Sequence, residues 1–483
     1  MPARTGEQFL RGLKDGRAIW IGNDRVRDVA SHPAFAGAAQ TLAAVFDRQH
    51  EFADDCLAPD PETGELINVT HLIPRSKADL QRRHRAIQRV AEYTVGIMGR
   101  TPDYMNVTFA GFAGRTDEWG AYGNQAGAER LVRYQKFIRR HDKALTHTIV
   151  HPTIDKAKGD APKAGDEVAL HKVGETRQGI VVRGARMFAT LAPFADELAV
   201  YPSQPLPPGA DAYALAFCIP TSAPGLKFIC RDSCAAAPDS FERPLSSRFD
   251  EHDAMVIFDD VEVPWDRVFI DGNLMVHNSV MTTTWAQNMM QQTMIRAQTK
   301  LEFAWGLATR MTEMINLYQP PAFQMLGELW SYAEFARACV RTAEEEAYEG
   351  PNGLWVPNAG PLAALRALLP TWFPRVGEII RQLAQPPHDP DAGAARRSGI
   401  GTVVGALSPG RWEGGGRDAG ARVSSRLGFR GHRARQPQRT IRAVLSEFRA
   451  TQSAAGARQR PGGPPTRRSP GQPFSPGTAK AHP

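Results

Sequence analysis

Arg100 and Tyr104, four residues apart in RTPDYMN, and His147, in THTIVHPTID (residues 146–155), supply a fixed cation, a hydroxyl and a titratable imidazole. The guanidinium is permanently charged and offers a rigid fork of donors, while the phenol hydroxyl can donate or accept. Such a set suits a phenolate or a carboxylate. On a helix, positions four apart share a face. Pro102 disfavours helical backbone at Thr101, so the alternative is a turn that opens a helix. Spacing alone leaves two readings open, because Arg-x3-Tyr is common and His147 before an apolar pair also fits a satisfied strand histidine.

The surrounding elements follow a clear grammar. Up to about residue 145 the pattern is mostly helical. DLQRRHRAIQRVAEYTVGIMGR (79–100) sets Leu80, Ile87, Val90, Ala91, Val95 and Met98 near a helical period, opposite an Arg-rich face that reads as solvated. From 146 to 272 short strand-like runs alternate with Gly, Pro and Asp, as in AYALAFCIP and AMVIFDDVEVP, which predicts an antiparallel β-domain. From 273 to 385 two long amphipathic helices return, with Met289, Met290, Met294 and Met311 expected in the core. The expected order is therefore a helical domain (1–145), a β-domain (146–272), a helical domain (273–385) and a low-order tail (386–483), an α+β chain.

Its 483 residues are enough for two or three domains. No apolar stretch reaches membrane-spanning length and the N-terminus lacks a secretory core, so a cytoplasmic location is expected. The five cysteines, Cys56, Cys218, Cys230, Cys234 and Cys339, are odd in number and scattered, which argues for reduced thiols. Cys230 and Cys234 form the one close pair, and no Cys/His set at zinc spacing accompanies them. The net charge of +7 is unevenly placed. Residues 386–483 hold sixteen Arg and one Lys against five carboxylates, a net +12; the remainder carries 41 basic and 46 acidic residues, a net −5.

GRTPDYMN, HTIVHPTIDK and FDDVEVPWDRVF (258–269), in that order, resemble the flavin-dependent 4-hydroxyphenylacetate 3-monooxygenase family, specifically its large oxygenase component. The likeness runs from GEQFLRGLKDGRAIWIGNDRV (6–26) to NGLWVPNAGP (352–361), about three quarters of the chain. It implies an acyl-CoA-dehydrogenase-like fold; a homotetramer is expected from the long C-terminal helices, whose faces are both partly apolar at Trp285, Met289, Met290, Phe303 and Trp305. The resemblance also implies reduced FAD delivered by a separate NAD(P)H:flavin reductase, O2 as co-substrate and a phenol hydroxylated ortho to its OH. A cofactor is chemically required, because no ordinary side chain activates dioxygen. The chain shows neither a His/carboxylate cluster at metal spacing nor a GxGxxG opening a βαβ unit, so no metal is expected and any flavin cleft is of another kind.

By this resemblance Arg100 stabilises phenolate charge, and Tyr104 and His147 hydrogen-bond the phenol oxygen or the flavin peroxide, with His147 the natural base near its ordinary pKa of roughly 6.5. Tyr201 and Ser203, with the Pro/Gly-rich run 202–210, form the loop that covers the substrate. His147, Thr148, Ile149, Thr153, Asp155, Lys156 and Thr190 occupy flavin-contacting positions, although Lys156 also reads as a solvent-facing turn residue and Thr190 as simple strand pairing. His151 departs from the residue many relatives carry. Two chemistries of the same fold compete. The 4-hydroxybutyryl-CoA dehydratases need iron–sulfur cysteines near Arg100 and Tyr104, and this chain has no Cys between Cys56 and Cys218. An acyl-CoA dehydrogenase needs a carboxylate base, for which nothing singles out Glu302 or Glu328.

The last 98 residues contain sixteen Gly, twelve Pro and four aromatics. That composition reads as a disordered tail, or as an arm binding nucleic acid nonspecifically. A third reading is a shifted frame. Gly428–Val444 can be encoded so that a one-nucleotide shift reads AFVGTELASRNELYERF, which resembles the family's C-terminal helix. On that reading the tail follows a frame change near codon 385, and the chain is catalytically impaired.

Overall fold

The computed structural model describes residues 3–152, 161–162, 165–234, 244–280 and 285–384. The tail expected from residue 386, with its frame-shifted and anion-binding readings, lies outside the described residues, as do Thr153, Asp155 and Lys156.

The N-terminal part carries α1 (Gly6–Gly12), α2 (Ala36–Glu51), α3 (Lys77–Thr94), α4 (Pro102–Ala113) and α5 (Gln125–His141). Thr5 and Gln8 close a reciprocal capping box on α1, and Ser76 accepts from the Asp79 N–H to start α3. Every residue of α4 is buried. Its composition, PDYMNVTFAGFA, is apolar or small almost all round, which is what a helix enclosed on every side requires. On α3 the predicted core positions Leu80, Ile87 and Ala91 are buried and Val90 is half-buried; Val95 and Met98 are buried too, but lie beyond the helix, which ends at Thr94 with Val95 left-handed at φ 52°.

The Arg-rich face of α3 is not wholly solvated as expected. Arg83 is 2% exposed and donates to Asn288 Oδ1 (2.6 Å) and Gln291 Oε1 (2.7 Å), and Gln291 in turn donates to Glu344 Oε1 (2.6 Å). A buried guanidinium is tolerated only with acceptors of this kind. The network ties α3 to the C-terminal helices α7 (Trp285–Met314) and α8 (Pro320–Glu345), which precede α9 (Ala359–Ala384). Met290 and Met294 are buried, and Met289 and Met311 pack partly buried against the core.

Among the described residues ten strands make the two larger sheets: β1 (Ile19–Ile21), β2 (Asp24–Val26), β3 (Leu145–Thr148), β4 (His171–Glu175), β5 (Gly179–Thr190), β6 (Glu197–Val200), β7 (Leu215–Pro220), β8 (Leu226–Cys230), β9 (Asp253–Pro264) and β10 (Val268–Asp271). One sheet has the order β2-β1-β8-β9-β5-β4, the other β10-β7-β6-β3. The expectation of a purely antiparallel β-domain is corrected in two places. β1 pairs in parallel with β8, and β3 in parallel with β6. The first pairing draws residues 19–26, which the sequence assigned to the helical part, into the larger sheet. A helix, α6 (Leu274–Ser279), leads from the sheets to the C-terminal helices. No helix among the described residues is long and apolar enough to cross a membrane.

Candidate active site

Arg100 does not lie on the helix with Tyr104. The helix begins at Pro102, and Thr101 is extended at ψ 156°, as the residue before a proline should be. Of the two local readings, the turn that opens a helix is the one the chain adopts. The guanidinium still stands over the Tyr104 ring, 4.2 Å from its centroid. Glu251 fixes the turn by accepting the Arg100 backbone N–H at 2.5 Å.

β3 brings His147 to the same place. Its ring meets that of Tyr104 edge to face at 5.4 Å, and lies 5.4 Å from that of Tyr201, which follows the neighbouring parallel strand β6. Tyr104, His147 and Tyr201 are 5%, 6% and 3% exposed. His147 Nδ1 and the Tyr201 hydroxyl are hydrogen bonded. The Tyr104 hydroxyl and His147 Nε2 have no partner among the described residues, and the buried Arg100 Nε has none either.

Burial, and then the nearby Arg100 charge, push the His147 imidazole down to about 3. The expected base near 6.5 is therefore a neutral ring at pH 7 and a poor proton acceptor. Burial raises the Tyr201 hydroxyl well above its ordinary value, so it stays protonated and can donate to Nδ1. In that tautomer Nε2–H is a donor on the side away from Tyr201. Tyr201, the first residue of the segment that follows β6, thus sits against His147.

The hydroxyl protons of Ser203, Thr148 and Thr190 go to framework acceptors, which leaves their backbone groups and oxygen lone pairs for a ligand. Ser203 Oγ donates to the Ile149 carbonyl (2.5 Å), Thr148 Oγ1 to the Met187 carbonyl (3.1 Å), and Thr190 Oγ1 to Asp253 Oδ1 (2.5 Å). Thr146 Oγ1, which sequence reasoning passed over, donates to the Thr190 carbonyl at 2.6 Å and so locks β3 to β5. Glu302 accepts from Gln298, and Glu328 pairs with Arg375. Among the described residues no group of three His, Cys, Asp or Glu side chains is arranged to hold a metal ion.

A flavin's ring and its polar edge need a flat apolar surface beside donors. Val150 and Phe188 provide the former, 40% and 56% exposed on segments joined by the Val150–Met187 bridge. The run His147–Thr148–Ile149 leads directly into Val150. The residues present fit the group.

Residues 5–270 match the 4-hydroxyphenylacetate 3-hydroxylase N terminal family and residues 276–384 its C terminal counterpart. The chain is 38% identical over 384 residues to the 4-hydroxyphenylacetate 3-monooxygenase oxygenase component of Thermus thermophilus, covering 79% of each chain. It is 32% identical over 390 residues to the oxygenase component of a Rhodococcus 4-nitrophenol 2-monooxygenase, covering 78% of this chain and 73% of that one. Among solved structures, the oxygenase component of 4-hydroxyphenylacetate 3-monooxygenase complexed with FAD superposes with a TM-score of 0.76 at 33% identity, over 94% of this chain and 91% of that one.

Proposed function

The chain belongs to the 4-hydroxyphenylacetate 3-hydroxylase family, and from that premise we propose that it is the oxygenase component of a two-component monooxygenase that adds one oxygen atom of O2 ortho to a phenol hydroxyl. Reduced FAD, supplied by a separate reductase, provides the oxygen-activating chemistry when bound. His147, Thr148, Ile149 and Thr190 are the described residues that would hold it, with Thr153, Asp155 and Lys156 completing the set outside them.

The observation that carries this reading is the convergence of Arg100, Tyr104 and His147 with an unpartnered Nε, hydroxyl and Nε2. A phenol oxygen held there meets a permanent cation and two hydrogen-bonding groups in a site with little water. Negative charge on that oxygen is stabilised by Arg100, and electron release from it activates the ortho carbon. A neutral His147 with its proton on Nε2 donates to the phenolate, and the Tyr104 hydroxyl donates beside it. Exclusion of water falls to the buried wall of α4 and to Tyr201 with its loop.

Turnover of a panel of phenols with reduced FAD and O2, followed as catechol formation, tests the assignment. His147→Ala is expected to lower hydroxylation by about 10² or more, the usual cost of one donor to a developing oxyanion. Because His147 is neutral throughout, the wild-type rate should rise with pH along the ionisation of the bound phenol, with no limb near 6.5. An ascending limb near 6.5 that vanishes in His147→Ala would instead make the imidazole a base.

We also propose a homotetramer packed through the C-terminal helices. On α8 and α9 the Tyr332 and Trp372 rings stack at 4.7 Å, with Phe335 beside them 59% exposed and Leu368 38% exposed. An apolar ridge of this kind is more than a lone protomer ordinarily leaves uncovered. Light scattering should give a mass about four times that of the chain, and monomer alone at micromolar concentration contradicts the assignment. The site's location in the cytoplasm is part of the same proposal.

A further inference from the structure

The turn that carries Arg100 has little regular structure of its own. Val95 and Gly96 are left-handed, at φ 52° and 67°, and α4 begins only at Pro102. Among the described residues none of the N–H groups of Met98, Gly99, Arg100 and Thr101 reaches a backbone carbonyl. Side chains hold the turn instead. Arg296, on α7, donates through Nη1 to the Gly96 carbonyl at 2.8 Å, and Glu251 accepts the Arg100 N–H at 2.5 Å. Gly96 is pressed against the α7 backbone, since a β-carbon there would lie 2.3 Å from the Arg296 carbonyl oxygen and 2.7 Å from the Lys300 nitrogen. At Gly99 a β-carbon would stand 3.6 Å from Arg296 Cζ and 3.7 Å from Glu251 Oε2, so both side chains pack on that residue. The start of the turn is thus set by α7 and its end by Glu251.

Glu251 is itself a fixed post. The Leu191 N–H lies between the Glu251 and His252 carbonyls, at 3.2 and 3.0 Å. His252 follows in the left-handed region at φ 52°, fully buried, with Nε2 at 2.9 Å from the Ala34 carbonyl. Such a conformation is uncommon for a residue other than glycine and persists only where the surroundings hold it. On the other side Asp250 accepts from Arg231 at 2.5 Å and from the Cys234 N–H at 2.7 Å. Leu191 directly follows Thr190, and Thr190 pairs with Asp253 across the sheet. The backbone that presents Glu251 is therefore continuous with the β5–β9 pair, and not with α4.

Glu251 meets the Arg100 backbone and not its guanidinium. Among the described residues the guanidinium hydrogen-bonds only the Gly99 carbonyl, at 3.3 Å, and its buried Nε has no partner. A carboxylate paired with that guanidinium would neutralise the cation before any phenolate arrived. A carboxylate on the backbone N–H holds the cation in place and leaves its donors free. We propose that Glu251 is the positioning residue of the phenol site: by holding the Arg100 N–H it keeps the guanidinium over Tyr104, where it faces the phenol oxygen. This assignment rests on Arg100 stabilising the phenolate. Helix α4 cannot do the same work, because Pro102 starts the helix after Arg100 and leaves that residue outside its hydrogen-bond ladder.

The test reads a bound ligand and not turnover. The probe is 4-nitrophenol, whose phenol and phenolate absorb at different wavelengths, bound to the full chain without flavin, and the readout is the phenolate-to-phenol ratio of the bound probe at one pH. Glu251→Gln and Glu251→Met both remove the charge and keep a similar length, and only Gln retains an acceptor for the Arg100 N–H. Gln is expected to stay within about threefold of the wild-type ratio and Met to fall about tenfold below Gln, the lower end of what one opposite charge does at close range. In an Arg100→Met background the two should agree within about twofold, because Glu251 acts through that residue. Agreement of Gln and Met with Arg100 present overturns the proposal. So does a Met deficit that persists without Arg100, which marks Glu251 as structural. Glu251→Ser, also neutral and too short to reach the N–H, repeats the Met arm should that chain fail to fold. A wild type that binds no 4-nitrophenol, or holds it at the Arg100→Met ratio, sinks the phenolate site itself and this assignment with it, whereas the Glu251 outcomes are read with that site intact.

Discussion

Shifting the gene's frame by one nucleotide near codon 385 is expected to yield a protein that binds reduced FAD more tightly and hydroxylates a phenol at least about 10²-fold faster than the 483-residue chain, a factor within reach of lost positioning and water exclusion. The motive lies in the sequence. The family match ends at residue 384, and the 98 residues from 386 hold sixteen Arg, sixteen Gly and twelve Pro. Proline removes an intrahelical hydrogen bond and glycine weakens a helix, so this string is a poor helix former. The shifted reading GTELASRNELYERF, by contrast, is rich in strong helix formers and resembles the family's C-terminal helix. FAD titration and single-turnover hydroxylation of both proteins decide the matter. Equal affinity and equal rates would make the tail a genuine segment with its own role.

The second large effect is expected at Arg100. Arg100→Met in a flavin-competent protein should cut kcat/KM for a phenol by about 10³, at the upper end for removal of one group that stabilises a developing oxyanion. The sign of its pH dependence follows from the charge. Arg100 favours the phenolate, so without it the bound phenol's pKa rises toward the ordinary ~10, and the lost rate should return in part as pH is raised. The same removal should raise the His147 pKa, because Arg100 is one of its two depressing causes. Arg100→Lys keeps the charge but loses the planar fork over Tyr104, and should fall between. A Met variant within tenfold of wild type at pH 7 would take phenolate stabilisation away from this residue.

Much of this site was legible in the residues. Arg100, Tyr104 and His147 were identifiable as a set, and the proline at 102 correctly left room for a turn rather than a helix. Side-chain commitments were not legible. Ser203, Thr148 and Thr190 each carry a hydroxyl, but whether it faces a ligand or a neighbouring carbonyl depends on strands far apart in sequence, and here all three bond within the framework. Tyr201 was placed in a covering loop because Pro and Gly follow it. The parallel pairing of β3 with β6 also delivers its hydroxyl to His147.

By itself the sequence determined the order of helical, strand and helical regions, because hydrophobic period and turn residues are local signals, and it determined the family, because three separated motifs survive in order. Only the tertiary structure decided the electrostatics. Burial and the proximity of Arg100 hold the His147 imidazole far below its ordinary range, and no local pattern encodes either distance or solvent access. Glu251, 151 positions along the chain from Arg100, supplies the acceptor for its backbone N–H. The reason is common to both cases. A side chain's charge state and partners follow from what surrounds it in space, and that is fixed only when long-range pairings set the register.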